Sequence, residues 1–249
     1  MKWTEYEDQY QDALEWLAQT EPTVQNFNRL QNTLVEKRDI LEQFQSHLQT
    51  VFDWQKDLDR LNMRAQQLLE TCADSRVSNA VTNITTKYNA LLSMAKEIIR
   101  RLEVHFQEHQ QHSALFNECQ EWIDRTRDKL AECRSASENL PQLKGCLHQL
   151  QNIRQSLEQG HHKLRYVFEL KERVILNTEQ SGSMQIQEDT DALRQDFDKL
   201  ARDVQEAREG LSARIAVLED IDKAHHMFVD WLQEMVNKVM SLFIYAVKQ

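Results

Sequence analysis

The histidines and cysteines are the residues best placed for chemistry. His105, His109 and His112 stand at i, i+4 and i+7, which puts three imidazoles on one face of a helix. Neutral imidazoles at that spacing can bind zinc. His161-His162 and His225-His226 are adjacent pairs, so their rings point to different faces and suit ligation poorly. The four cysteines, Cys72, Cys119, Cys133 and Cys146, form no CxxC pair and no Cys/His zinc spacing. No two glycines lie close enough to build a phosphate-binding loop. Nothing marks a closed pocket of paired carboxylates among the 40 acidic residues. The reading is therefore non-enzymatic, with no catalytic residue, cofactor or metal ligand assigned. For the histidine trio the simpler role is structural. They sit on an apolar seam, where polar groups loosen packing and let a junction bend. His105, His109 and His112 are thus candidates for linker tuning, and protonation is expected to weaken that junction.

These residues must be positioned by helices. Only 4 Gly and 2 Pro occur in 249 residues, too few for the turns of a many-stranded sheet. Steps of four and three from Val77 pass through Val81, Ile84, Tyr88, Leu91, Ala95, Ile98 and Leu102. The same steps continue through His105, His109, His112, Phe116, Cys119, Ile123, Thr126, Leu130 and Cys133. That 3.5-residue period keeps one stripe facing partner helices, and an unbroken helix over it would span about 85 Å. A second seam runs from Ile186 through Thr190, Leu193, Phe197, Leu200, Val204 and Leu211, and on through Leu218, Ile221, Phe228, Leu232 and Leu242.

The two seams are offset by 109 residues, so that Tyr88 falls on Phe197 and Trp122 on Trp231. Trp16 marks a third copy, 106 residues before Trp122. A stripe over 28–70 and another over 141–177 supply the intervening helices. Thr20-Glu21-Pro22, 72–76, 135–141 and 178–183 are expected breaks, with Gly182 in a loop and Pro141 in a first helical turn. Each repeat is then three helices, and the third runs on as the first of the next repeat. Amphipathic helices of this kind are stable only when their stripes are buried together. The expected fold is all-α: tandem antiparallel three-helix coiled coils joined by continuous helices into a rod. Repeat 1 covers 1–104, without the start of its first helix. Repeat 2 covers 105–213, and 214–249 is the first helix of an incomplete third. The expected core includes Trp16, Tyr88, Trp122, Phe197 and Trp231, the three tryptophans sitting where first helices meet their partners.

A repeat of this length with Trp in its first helix resembles the spectrin repeat. The strings ALEWLAQTE, CQEWIDRTRDKL and FVDWLQEMVNKV carry the likeness for first helices. VTNITTKYNALLSMAKEIIRRLE and TDALRQDFDKLARDVQEARE carry it for third helices. Tyr88 and Phe197 stand where the family commonly has a second Trp. Within the family, WLAQTEP, KYNALLSMAKEIIRRLE and EHQQH look most like nesprins, with spectraplakins and dystrophin-like proteins as competitors. The resemblance implies a segment of a giant linker between the nuclear envelope and the actin cytoskeleton, serving nuclear anchorage or positioning. It implies cytoskeletal or scaffold partners, with actin reached only through domains outside this chain, and a place in the cytoplasm at the outer nuclear envelope.

The net charge of −10 and the interspersed Lys and Arg argue against nucleic acid as a partner. A polar N-terminus lacks the apolar core of a signal peptide, and free thiols fit a reducing compartment. The apolar run 240–247 is too short to cross a membrane. Its frame belongs to a first helix lacking its partners, so the expectation is a piece of a longer rod, able to self-associate through this apolar helix.

Overall fold

The computed structural model describes residues 2–72, 74–135 and 139–247. Six helices make up the described chain: α1 (Lys2–Asn26), α2 (Leu34–Asp53), α3 (Gln55–Thr71), α4 (Ser75–Arg134), α5 (Leu140–Leu176) and α6 (Gln180–Val247). Among the described residues the one strand-like pairing is an isolated bridge between Gln31 and Thr178. The chain divides into two units. Unit 1 is Met1–Ala114 with Val167–Thr190, and unit 2 is Leu115–Tyr166 with Asp191–Gln249. The breaks at 72–76 and 135–141 and the sequence ends include Met1, Ala73, 136–138 and 248–249, which lie outside the described residues.

In unit 1, α1 runs antiparallel to α2 and α3, and α4 returns parallel to α1. Phe27, just past α1, packs on Phe44 of α2 at 4.9 Å between ring centroids. One end of the bundle is thereby fixed. Midway along, Trp16 stacks on Trp54 at 4.3 Å and nearly parallel, and Trp54 meets Tyr88 at 5.2 Å. The core between them contains Leu17, Val24, Ile40, Val51, Leu58, Ile84, Leu91, Ala95 and Ile98. Burying each large aliphatic side chain contributes about 1.5–3 kcal/mol, which is what holds helices that are only weakly stable alone. The seam residues from Val77 to Leu102 fall on this core as their period requires: all but the half-buried Val81 are buried.

In unit 2, α4 and α5 are antiparallel. Glu118 pairs with Lys163, Trp122 lies against Gly160, and Cys133 lies beside Cys146. The α6 helix runs parallel to α4, with ion pairs from Arg127 to Asp196 at 3.6 Å and Arg134 to Asp203 at 3.9 Å. Ile123, Leu130, Leu143, Leu150, Leu193, Leu200 and Val204 fill the space between the three helices. The exposed ion pairs contribute little, each at most about 1 kcal/mol. The apolar core is what decides.

Several boundaries differ from the sequence expectation, and each has a local cause. Thr20-Glu21-Pro22 does not break α1, and Pro22 lies inside the helix. Continuing one turn further buries Val24 completely and brings Phe27 onto Phe44, which offsets the lost proline hydrogen bond. The 28–70 stretch is two helices rather than one. The Tyr88 hydroxyl donates to the Val51 carbonyl at 3.0 Å, taking an acceptor next to the turn at Trp54 where α2 gives way to α3. Gly182 is helical, not in a loop, and has no positive φ. The break there shrinks to 177–179.

Candidate functional site

A buried polar cluster in unit 1 is the most unusual grouping of side chains in the molecule. Lys37 is one turn into α2, at a seam position between Leu34 and Leu41, and only 1% of it is exposed. A buried ammonium is costly unless fully hydrogen-bonded. Lys37 Nζ donates to Asn177 Oδ1 and, at 2.9 Å, to Thr178 Oγ1. The Thr178 hydroxyl passes the chain on to the Val174 carbonyl at 2.5 Å. Asn177 Nδ2 donates to Glu108 Oε2 on α4 at 2.8 Å. This carboxylate supplies the countercharge. Burial nonetheless pulls the Lys37 ammonium down to about 8, against the opposing pull of Glu108.

The loop ends are held by a second set of bonds. Thr33 caps α2 by accepting from the Glu36 N–H at 3.1 Å, and Glu36 accepts from the Asn32 N–H at 2.8 Å. This is the capping-box pattern shifted by one residue, with Glu36 reaching the N–H before the cap instead of that of Thr33. Asn32 then reaches the start of α6. Its Nδ2 donates to Glu179 at 2.9 Å, and its Oδ1 accepts from Ser181 Oγ at 2.6 Å and Gly182 N–H at 3.0 Å. The Glu179 N–H donates to the Gln31 carbonyl at 3.0 Å. Two loops, 27–33 and 177–179, are thereby locked together inside unit 1.

Gly182 makes that contact possible. A Cβ at this position would lie 2.1 Å from the Asn32 carbonyl oxygen and 2.8 Å from two further Asn32 backbone atoms. Backbone cannot rotate away as a side-chain tip can. Gly182→Ala is expected to cost about 1–3 kcal/mol through forced separation of the two loops. In urea unfolding, a change below about 0.5 kcal/mol would show that the contact is not closely packed in solution.

The three predicted histidines line the α4 side of this cluster. His109 and His112 are buried and His105 is half-buried. The Nδ1 atoms of His105 and His109 have no hydrogen-bond partner among the described residues, while His112 Nε2 is 3.5 Å from the Thr190 hydroxyl. Desolvation first, then the nearby Lys37 charge, holds both His105 and His109 down to about 4. Desolvation also lowers His112, aided by Lys171. The trio therefore stays neutral near pH 7. Among the described residues, no three His, Cys, Asp or Glu side chains converge as metal ligands. The arrangement can hold two loops against a helix and change its charge with acidity.

The remaining predicted residues separate into three groups. Tyr88 and Phe197 are buried, at 1% and 5% exposure. Trp16 and Trp122 are half-buried, each against an aromatic partner, Trp54 and Phe197 respectively. Trp231 departs from the expectation of a core ring. It is 53% exposed, because every described residue from Asp220 to Phe243 on α6 is exposed. The apolar run 240–247 lies partly beyond the residues whose side chains are described. Sequence reasoning missed Lys37, Glu108, Asn177, Thr178, Asn32 and Trp54. Two signals were available: a lysine at a seam position, and the Thr-x-x-Glu box just before it.

Each of the two antiparallel three-helix cores has a Trp at the same repeat position, Trp16 and Trp122, stacked on an aromatic ring of a partner helix. Residues 107–213 match the spectrin repeat. Residues 107–213 belong to the spectrin-repeat family. The chain is 56% identical over 241 residues to Muscle-specific protein 300 kDa of Drosophila melanogaster, covering 97% of this chain and 2% of that protein. It is 27% identical over 201 residues to Nesprin-3 of Homo sapiens, covering 80% of this chain and 20% of that protein. The chain thus spans a small part of each relative. As in other spectrin repeats, the apolar stripes of three helices form the core, and the helices that carry them set where the polar cluster falls.

Proposed function

We propose that this spectrin-repeat chain is a non-enzymatic spacer and scaffold segment of a long cytoskeletal linker, one that connects the nuclear envelope to actin and supports nuclear anchorage. The observation that carries the reading is the likeness to two long relatives, one muscle-specific and one a nesprin, along most of this chain. A core given over to helix packing, with no convergent reactive groups among the described residues, suits that role. Its partners are cytoskeletal and scaffold proteins, and actin is contacted by other parts of the same polypeptide. No described helix is long and apolar enough to cross a membrane, so attachment to the envelope falls to other parts as well.

An epitope tag placed at the encoding locus tests this directly. Staining around nuclei, together with displaced nuclei after in-frame deletion of residues 1–213, is the expected result. Staining confined to the cell cortex, with nuclei in place, would instead support a spectraplakin- or dystrophin-like crosslinker. The exposed 220–243 face favours a second reading, a binding module that docks a partner helix or a second copy. Light scattering on the purified chain separates the two. A monomer supports the spacer, and a concentration-dependent dimer supports docking through α6.

A further inference from the structure

We propose that Cys133 and Cys146, both free thiols, form a thiol pair that closes to a disulfide stapling α4 to α5 in unit 2. Cys133 lies in the last turn of α4 and is 1% exposed. Its Sγ is 3.9 Å from the Cys146 carbonyl oxygen and 3.3 Å from Gln149 Oε1, which accepts its proton in a hydrogen bond. Cys146 is half-buried on the facing turn of α5. The other two cysteines stand apart, Cys72 after α3 in unit 1 and Cys119 three to four turns back along α4.

The accessible sulfur reacts first. The Cys146 thiolate attacks a low-molecular-weight disulfide such as oxidised glutathione, whose S–S bond breaks and releases one thiol. A mixed disulfide remains on Cys146. Cys133 loses its proton to water and attacks the Cys146 sulfur, expelling the second donor thiol. Two protein thiols are oxidised, one donor disulfide is reduced to two thiols, and the two protons end on those thiols. Desolvation, then the hydrogen bond and charge of Cys146, pushes the Cys133 thiol up to about 12. The closing step therefore speeds up about tenfold per pH unit between pH 7 and 9. The staple closes a loop of about 14 residues, which removes freedom from the unfolded chain more than it alters the folded one.

The experiment uses the full chain carrying C72S and C119A, so that two thiols remain. After incubation with oxidised glutathione at pH 8.5, remaining thiols are alkylated and the chain is cut with trypsin. The expected product is peptide 130–134 joined to peptide 145–154, two hydrogens lighter than the sum. A rise of about 5 °C in the thermal midpoint should accompany it, reversed by dithiothreitol. Persistent glutathione on Cys146, a disulfide between two chains, or alkylation of both thiols would each overturn the proposal.

Discussion

Acidification from pH 7 to pH 5 is expected to destabilise unit 1 by about 2–4 kcal/mol, well before its carboxylates are protonated. The sign follows from the imidazoles. In the unfolded chain a histidine takes up a proton near pH 6.5, whereas in the fold His105 and His109 resist protonation until about pH 4. Between those values the unfolded state binds more protons, so stability is complete above pH 6.5 and is lost as pH falls toward 4. Each histidine contributes about 2 kcal/mol at pH 5, less where water screens the half-buried His105. The groups around them act in the same direction. Lys37 on α2, Arg101 on α4 and Lys171 on α5 are all cations, and Glu108 is engaged by Asn177. Lys37 adds a separate alkaline feature: its contribution grows as pH rises from about 8 toward its unfolded value. Urea melts at pH 8, 6.5 and 5 on the full chain and on a H105Q/H109Q/H112Q variant measure the effect. If both lose stability equally on acidification, the histidines are not responsible.

Trp122→Ala is expected to cost about 3–5 kcal/mol, while Trp231→Ala should change stability by less than about 0.5 kcal/mol. The two rings stand 109 residues apart at the same point of the repeat, so the difference isolates tertiary context. Trp122 packs on Phe197 with 5.9 Å between ring centroids. Gly160 admits both rings, since a Cβ there would come within 3.0 Å of Phe197 and 3.2 Å of Trp122. A cavity of about 100 Å³, lined also by Cys119, Ile123 and Leu164, already borders the ring. Removing the indole enlarges that void instead of letting the site collapse, which places the loss toward the upper end of the range. Among the described residues, the ring neighbour of Trp231 is Phe228 of its own helix. Equal losses at the two positions would mean that 220–243 is covered in solution. A loss below about 1 kcal/mol for Trp122→Ala would contradict its place in the core.

By itself the sequence determined the helices, their apolar faces and the repeat. Those properties come from spacing along one chain: a stripe every 3.5 residues records which face must be buried, whatever buries it. The seam from Val77 to Cys133 could therefore be read without coordinates, and α4 follows it without a break. Helix ends and the polar cluster were decided only by the tertiary structure. Pro22 stays helical because Val24 and Phe27 gain a core from α2, and the first turn of α6 at Gly182 finds its acceptor in the Asn32 side chain. The Lys37 site depends on Asn177 and Thr178, 140 and 141 residues away. No local pattern links them. A periodic stripe shows that a side chain is buried; which polar groups meet it there depends on how separate segments of chain come together. His105, His109 and His112 stand between the two cases. Their shared face was legible from spacing, and their enforced neutrality came from the burial that the fold imposes, reinforced by the cations it gathers around them.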